Sequence, residues 1–196
     1  MNARFTWDSP ALWLIAMMLV PAVVLAAAKP VYTVDSDRWT NEYDDYFRKY
    51  TKRYFGPNFD WRWFKAQGIA ESALQPKAAS HVGAQGVMQI MPATFEEIKG
   101  ANPYFTHVEE PRWNIAAGIY YDRMLYRKWS DKVAVTDDRL AFTFGSYNAG
   151  LGNILNAWKR AGRIDEPGEQ WRKTAPHAPS ETRGYVARIR ELMGEE

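Results

Sequence analysis

One acidic residue closing an apolar helix, followed at once by a glycine-punctuated loop, limits this chain more than any other feature. The stretch is DWRWFKAQGIAESALQPKAASHVGAQGVMQIMP, residues 60–92. Asp60 can cap a helix, because its carboxylate accepts from the first free N–H groups. Trp61, Phe64, Ala66, Ile69 and Ala70 then recur at the three-to-four-residue spacing of a buried helical face. Pro76 cannot continue a helix, and Leu74-Gln75 before it is biased towards extended backbone. Glu71 therefore falls near the carboxyl end of a mostly buried helix. Apolar neighbours disfavour its charged form and raise its pKa, and a carboxyl still protonated near neutral pH is what a general acid requires.

The loop Gly83-Ala84-Gln85-Gly86-Val87-Met88-Gln89-Ile90-Met91-Pro92 pairs two glycines, which allow tight turns and close backbone approach, with an apolar wall. Val87, Met88, Ile90 and Met91 supply that wall, and Gln89 is the lone amide among them. Taken alone, a Glu at a helix end is more often solvated or paired than catalytic. Spacing by itself leaves both readings open.

The chain has 196 residues, enough for one compact domain with its own core. A net charge of +2 argues for neither a nucleic-acid binder nor a strongly basic membrane-surface protein. Without a cysteine there is no disulfide, thiolate nucleophile or lipid-modified anchor. Residues 1–28 read as an export or anchoring segment: Arg4 is a weak positive start, Ser9 to Ala28 is uncharged, and Ala26-Ala27-Ala28 offers small residues for cleavage. The apolar run is also long enough to span a bilayer, despite Pro21. Both a cleaved signal peptide and an inner-membrane anchor through residues 9–28 are open, the small residues favouring cleavage. Either way the rest of the chain is expected across the inner membrane, in the periplasm.

Residues 29–57 read as a short linker and an aromatic helix, and residues 58–196 as the main domain. Trp39, Tyr43, Tyr46-Phe47, Tyr50 and Tyr54 form a helical stripe expected to pack in the core, the alternative being a sugar groove, and Gly56-Pro57 ends it. A short helix is expected over Ala93 to Lys99, stopped by Gly100. A longer one begins at Pro111, with Trp113, Ala116-Ala117, Tyr120 and Met124 on one side and Gly118 allowing close approach. A further helix opens at Asp137 or Asp138 and runs into Ser146-Tyr147-Asn148, where Asn148-Ala149-Gly150 suits a left-handed turn; Leu151 to Ala161 resumes and stops at Gly162. Arg163 to Pro179 reads as a surface loop with at most a short turn around Trp171. A last helix from Ser180 places Tyr185, Ile189 and Met193 on one face. The fold class is mostly α, with at most a small β-hairpin around Val82 to Ile90.

Four motifs now stand in order: Glu71-Ser72, GAQGVMQIMP, Ser146-Tyr147-Asn148-Ala149-Gly150, and Pro179-Ser180-Glu181-Thr182 with Tyr185-Val186. In sequence and interval they resemble the soluble-type lytic transglycosylases, SLT-domain enzymes of lysozyme-like fold that cut peptidoglycan. The similarity runs over about residues 58 to 193. Pro111, Asn114-Ile115, Ala117-Gly118 and Tyr121 are similar to a further structural signature of the family, taken as helix packing.

The resemblance implies that Glu71 is the catalytic acid and then base, cleaving the MurNAc-GlcNAc link without water to leave a 1,6-anhydro end; it implies no metal or cofactor, and the three histidines show no ligand spacing. It implies that Ser80 bonds the sugar or its N-acetyl group, that Gln89 and Met91 line the cleft, and that Tyr147 orients the carboxyl or substrate. Asn148 stays open between a helix cap and a cleft contact. Tyr185 and Glu181 sit near the cleft, Glu181 in a supporting role that its place at a helix start also explains, and Ser72 steadies the helix end. Val87 where leucine is usual, His81 where proline is common and Ser146 where alanine is common bear on cleft shape rather than chemistry. Peptidoglycan strands are the expected partner. The alternatives are a goose-type lysozyme-like hydrolase, which needs a second acid to position water, and a non-catalytic glycan-binding scaffold.

Overall fold

The computed structural model describes residues 37–195. The apolar segment at 1–28 and most of the expected linker lie outside the described residues. Among the described residues, no helix is long and apolar enough to cross a membrane.

Among the described residues eight α-helices follow in chain order: α1 (Asp44–Phe55), α2 (Arg62–Ser72), α3 (Pro92–Ala101), α4 (Pro111–Lys128), α5 (Thr136–Ala149), α6 (Leu151–Arg160), α7 (Gln170–Thr174) and α8 (Ser180–Leu192), with a 3-10 turn at Ala175–His177. The expected hairpin reduces to two isolated antiparallel bridges, Ala79 with Gln85 and Gln85 with Ile90. No strand forms among the described residues, because Gly83 and Gly86 both take positive φ and turn the backbone before a ladder can extend.

α2, α4 and α5 carry the longest buried runs and form the middle of the core. α2 is buried from Trp63 through Ile69, including Lys65 and Gln67, as befits a helix surrounded by others. Asp60 caps it as its sequence suggests, its Oδ1 accepting from the Arg62 amide at 3.0 Å while its carboxylate also holds the Arg62 guanidinium. The buried Lys65 ammonium is matched by the Asp44 carboxylate and the Thr40 carbonyl, with the Trp39 and Trp61 ring faces 5.7 and 5.9 Å away.

The aromatic stripe of α1 packs into this core. Phe47 and Tyr50 are buried, and Tyr54 and Phe55 meet Tyr120 and Tyr126 of α4 at ring distances of 5.4 and 5.5 Å. α4 differs from the amphipathic helix expected. Asn114 through Ile119 are buried all round, and of the residues expected to share one side Ala116 and Ala117 are buried while Trp113, Tyr120 and Met124 are only half-buried. The reason is that α1, α3 and α5 all lean on it. Gly118 allows this: a Cβ there would stand 2.8 Å from Met88 of the loop.

The span from Arg163 to Pro179 is not merely a surface loop. Trp171 is buried, its ring 5.3 Å from Phe142 and close enough to Gly145 that a Cβ there would touch it at 2.8 Å. Asp138 of α5 fixes this short helix by accepting from the amides of Gln170 and Trp171 at 3.1 and 3.3 Å. The turn after α5 also departs from expectation. Asn148 and Ala149 stay helical, and Gly150 alone takes positive φ (+86°) with an extended ψ. α8 lies against α2 and α5 and buries Thr182, Tyr185, Val186, Ile189 and Leu192.

Candidate active site

Glu71 occupies the last turn of α2, where the helix closes on two left-handed residues, Ala73 (φ +52°) and Leu74 (φ +63°). No basic side chain offsets the negative end of that helix dipole in its last turn. Burial is the main influence on the carboxyl and pushes its pKa from 4.5 up to about 7; the hydrogen bond from Tyr185 acts the other way. That bond is short, the Tyr185 hydroxyl donating to Glu71 Oε1 at 2.6 Å across 114 positions of sequence. Burial and the nearby carboxyl push the Tyr185 hydroxyl well above the usual phenol range, so it stays a donor. The Glu71 side chain is nonetheless partly open to solvent. A sheltered carboxyl that exchanges its proton near neutral pH, is reachable from outside and is steadied by one phenol can give a proton and take one back.

The loop beside it is shaped by polar side chains from other elements. Asn114 of α4 accepts from the Met88 amide at 2.7 Å and donates to the carbonyls of Gln85 and Val108, both at 2.9 Å. Gly86 sits against this amide so tightly that a Cβ would lie 2.4 Å from Asn114 Nδ2. Tyr147 of α5 donates to the Met88 carbonyl at 2.8 Å, with the Tyr121 ring edge-on at 5.4 Å. Ser72 donates to the Val87 carbonyl at 2.8 Å and so fastens the helix end to the loop.

The remaining residues singled out in the sequence fall as follows. Ser80 Oγ accepts from the Ala84 amide at 2.9 Å, which leaves its own proton available. Gln89, at φ +45°, directs its amide N–H groups to the carbonyls of Ala78 and Gly86 at 3.1 and 3.0 Å. Met91 is exposed just before α3. Asn148 is exposed and accepts from the Thr182 hydroxyl at 2.8 Å, joining α5 to α8. Glu181 is exposed in the first turn of α8. Glu71, Tyr185, Tyr147, Ser72 and Gln89 thus meet through the loop and its helices.

Two residues at the site were not singled out from sequence. Gln67 and Asp122 are fully buried close behind Glu71, Gln67 donating to Asp122 Oδ1 at 3.3 Å. Their signal was an amide and an acid at otherwise apolar helical positions. Among the described residues, no group of three or more His, Cys, Asp or Glu side chains could hold a metal ion.

Fold and site together define a helical domain built around a sheltered acid, Glu71, at the end of a buried helix. The Transglycosylase SLT domain family model matches residues 45–167, and the chain belongs to that family. It is 33% identical over 160 residues to the soluble lytic murein transglycosylase of Escherichia coli, covering 78% of this chain and 22% of that protein. With membrane-bound lytic murein transglycosylase F of Histophilus somni it shares 27% over 149 residues, covering 74% and 30%. The crystal structure of the 70 kDa soluble lytic transglycosylase of Escherichia coli superposes with a TM-score of 0.62 at 30% identity, over 81% of this chain and 25% of that one. A complex of the 70 kDa soluble lytic transglycosylase with bulgecin A gives 0.63 at 30% identity, over 78% and 24%. The chain therefore spans less than a third of the length of these relatives. The family match stops before α8, which supplies Tyr185.

Proposed function

We propose that this chain is a lytic transglycosylase that cleaves the β-1,4 link from MurNAc to GlcNAc in peptidoglycan. The observation that carries this reading is the Glu71 carboxyl, buried, raised to about 7 and bonded by Tyr185 at 2.6 Å. In the proposed reaction Glu71 gives its proton to the glycosidic oxygen, and the C1–O bond breaks with its electron pair going to that oxygen. The N-acetyl carbonyl of the same sugar stabilises the positive charge at C1. Glu71, now a carboxylate, takes the proton of the C6 hydroxyl as its oxygen bonds to C1, giving the 1,6-anhydro end and restoring the acid. No water is consumed.

A hydrolase needs a second carboxyl able to hold a water. Asp122, the carboxyl buried behind Glu71, has no exposed surface and is turned to Gln67, so it is not placed to hold a water for hydrolysis, and this favours the transglycosylase. Ser80 supports the reading by keeping an O–H for an acceptor on the sugar, and Met91 by offering exposed apolar surface to a pyranose face. Asn148 acts through the junction of α5 with α8, where it accepts from Thr182, and Glu181 has a supporting role at the exposed start of α8. Residues 1–28 direct the domain to the periplasm, where its polymer lies.

Digestion of purified peptidoglycan followed by mass spectrometry tests this. Wild type is expected to release anhydro-ended fragments, lighter by one water than reducing-ended ones. Glu71→Gln is expected to lower their yield by about 10³-fold with circular dichroism unchanged. Reducing ends would mean a hydrolase, and uncut polymer a binding scaffold.

A further inference from the structure

Behind Glu71 lies a polar pair that the proposed reaction does not use. Gln67 sits one turn earlier on α2 and Asp122 on α4, both with no exposed surface. One bond joins them, Gln67 Nε2–H to Asp122 Oδ1 at 3.3 Å. The other two polar atoms, Gln67 Oε1 and Asp122 Oδ2, are buried without a partner. With Asp122 ionised both are acceptors, and neither can satisfy the other. Buried polar atoms left in that state are rare and costly. A single proton on Oδ2 supplies the missing donor, since an amide and a carboxylic acid match each other in a ring of two hydrogen bonds.

The surroundings favour the protonated form. The groups facing the pair are the Glu71 carboxyl on α2, Tyr147 on α5, Tyr185 on α8 and the adjoining Tyr121 on α4. Towards α1 the neighbouring Arg123 stands over the Phe55 ring at 5.3 Å. Burial raises the Asp122 carboxyl well above the usual carboxylate range, the Gln67 bond opposes this, and the charge of Glu71 adds to it. Glu71, partly open to solvent, is the first of the two to ionise.

We propose that Asp122 is a neutral carboxylic acid locked to the Gln67 amide by two hydrogen bonds, Gln67 Nε2–H to Oδ1 and Oδ2–H to Gln67 Oε1. This clamp is a positioning device. It ties α4 to the catalytic helix one turn before Glu71 and keeps a second negative charge out of the site while Glu71 gives up and recovers its proton. Its effect on turnover rests on the transglycosylase reading; its protonation state does not.

Infrared difference spectroscopy on the Glu71→Gln protein at pH 8 reads that state directly. The expected result is a carbonyl band of an un-ionised carboxylic acid, shifted in D2O and lost when Asp122→Asn is added. Absence of the band in the Glu71→Gln protein overturns the inference, whether or not the double variant folds. In peptidoglycan cleavage, Asp122→Ala is expected to lower kcat about tenfold, and Asp122→Asn, which rebuilds both bonds between two amides, to recover most of it. Asp122→Asn is also expected to leave the alkaline limb of the kcat/KM profile where it is. A limb moved to lower pH would mean that the substitution had removed a real negative charge, and the inference would fall. If the wild type cuts no polymer, the transglycosylase reading fails while the infrared band still decides the state of Asp122.

Discussion

At the scale of single residues, the acidity of Glu71 is a balance between burial, which favours the protonated form, and the Tyr185 hydroxyl, which favours the carboxylate. Tyr185→Phe removes the second influence. The alkaline limb of the cleavage profile is expected to move up by about one pH unit, with kcat lower by about tenfold because the carboxyl loses its fixed orientation. The same balance makes stability depend on pH. Between 4.5 and about 7 the unfolded chain loses the Glu71 proton while the folded chain keeps it, so Glu71 lowers stability as pH rises through that window and by a constant amount above it. Glu71→Gln lacks that dependence. Its advantage over wild type in urea unfolding is expected to be absent below pH 4.5, to grow towards pH 7 and to level off at about 3 kcal/mol.

At the scale of elements, α2 ends four residues before Pro76, as its sequence suggests, but by a route the sequence hides. Ala73 and Leu74 both take left-handed backbone, which side chains with a Cβ resist. The burial of Leu74 holds them there. Ala73 is exposed and contributes no packing, so Ala73→Gly is expected to raise unfolding free energy by about 0.5–1 kcal/mol, measured by chemical denaturation. What was legible from sequence was whatever a local rule controls: the cap at Asp60, the buried run to Ile69, the glycine stops at 56 and 162, and the acid at 71. What was not legible depends on distant partners. Trp171 looks like a loop residue until Phe142 and Gly145 receive it, and Asn114 looks like one polar residue on a helix until the loop carbonyls and the Met88 amide arrive. Gln67 and Asp122 each break an apolar pattern, and nothing local says that they break it together.

At the scale of the whole molecule, α8 closes the fold. It covers α2 and α5 with Tyr185, Val186, Ile189 and Leu192, each 6% exposed or less. At about 1.5–3 kcal/mol per large apolar side chain, their loss is comparable with the entire stability of a domain this size. A chain ending at Pro179 is therefore expected to lose cooperative thermal unfolding as well as cleavage, although it retains all of residues 45–167. The long reach from Glu71 to Tyr185 also has a bearing on timing. During synthesis Glu71 emerges well before Tyr185, so until α8 has formed the carboxyl is without the phenol that steadies it, and the tuned pair exists only once both ends of this long span have met.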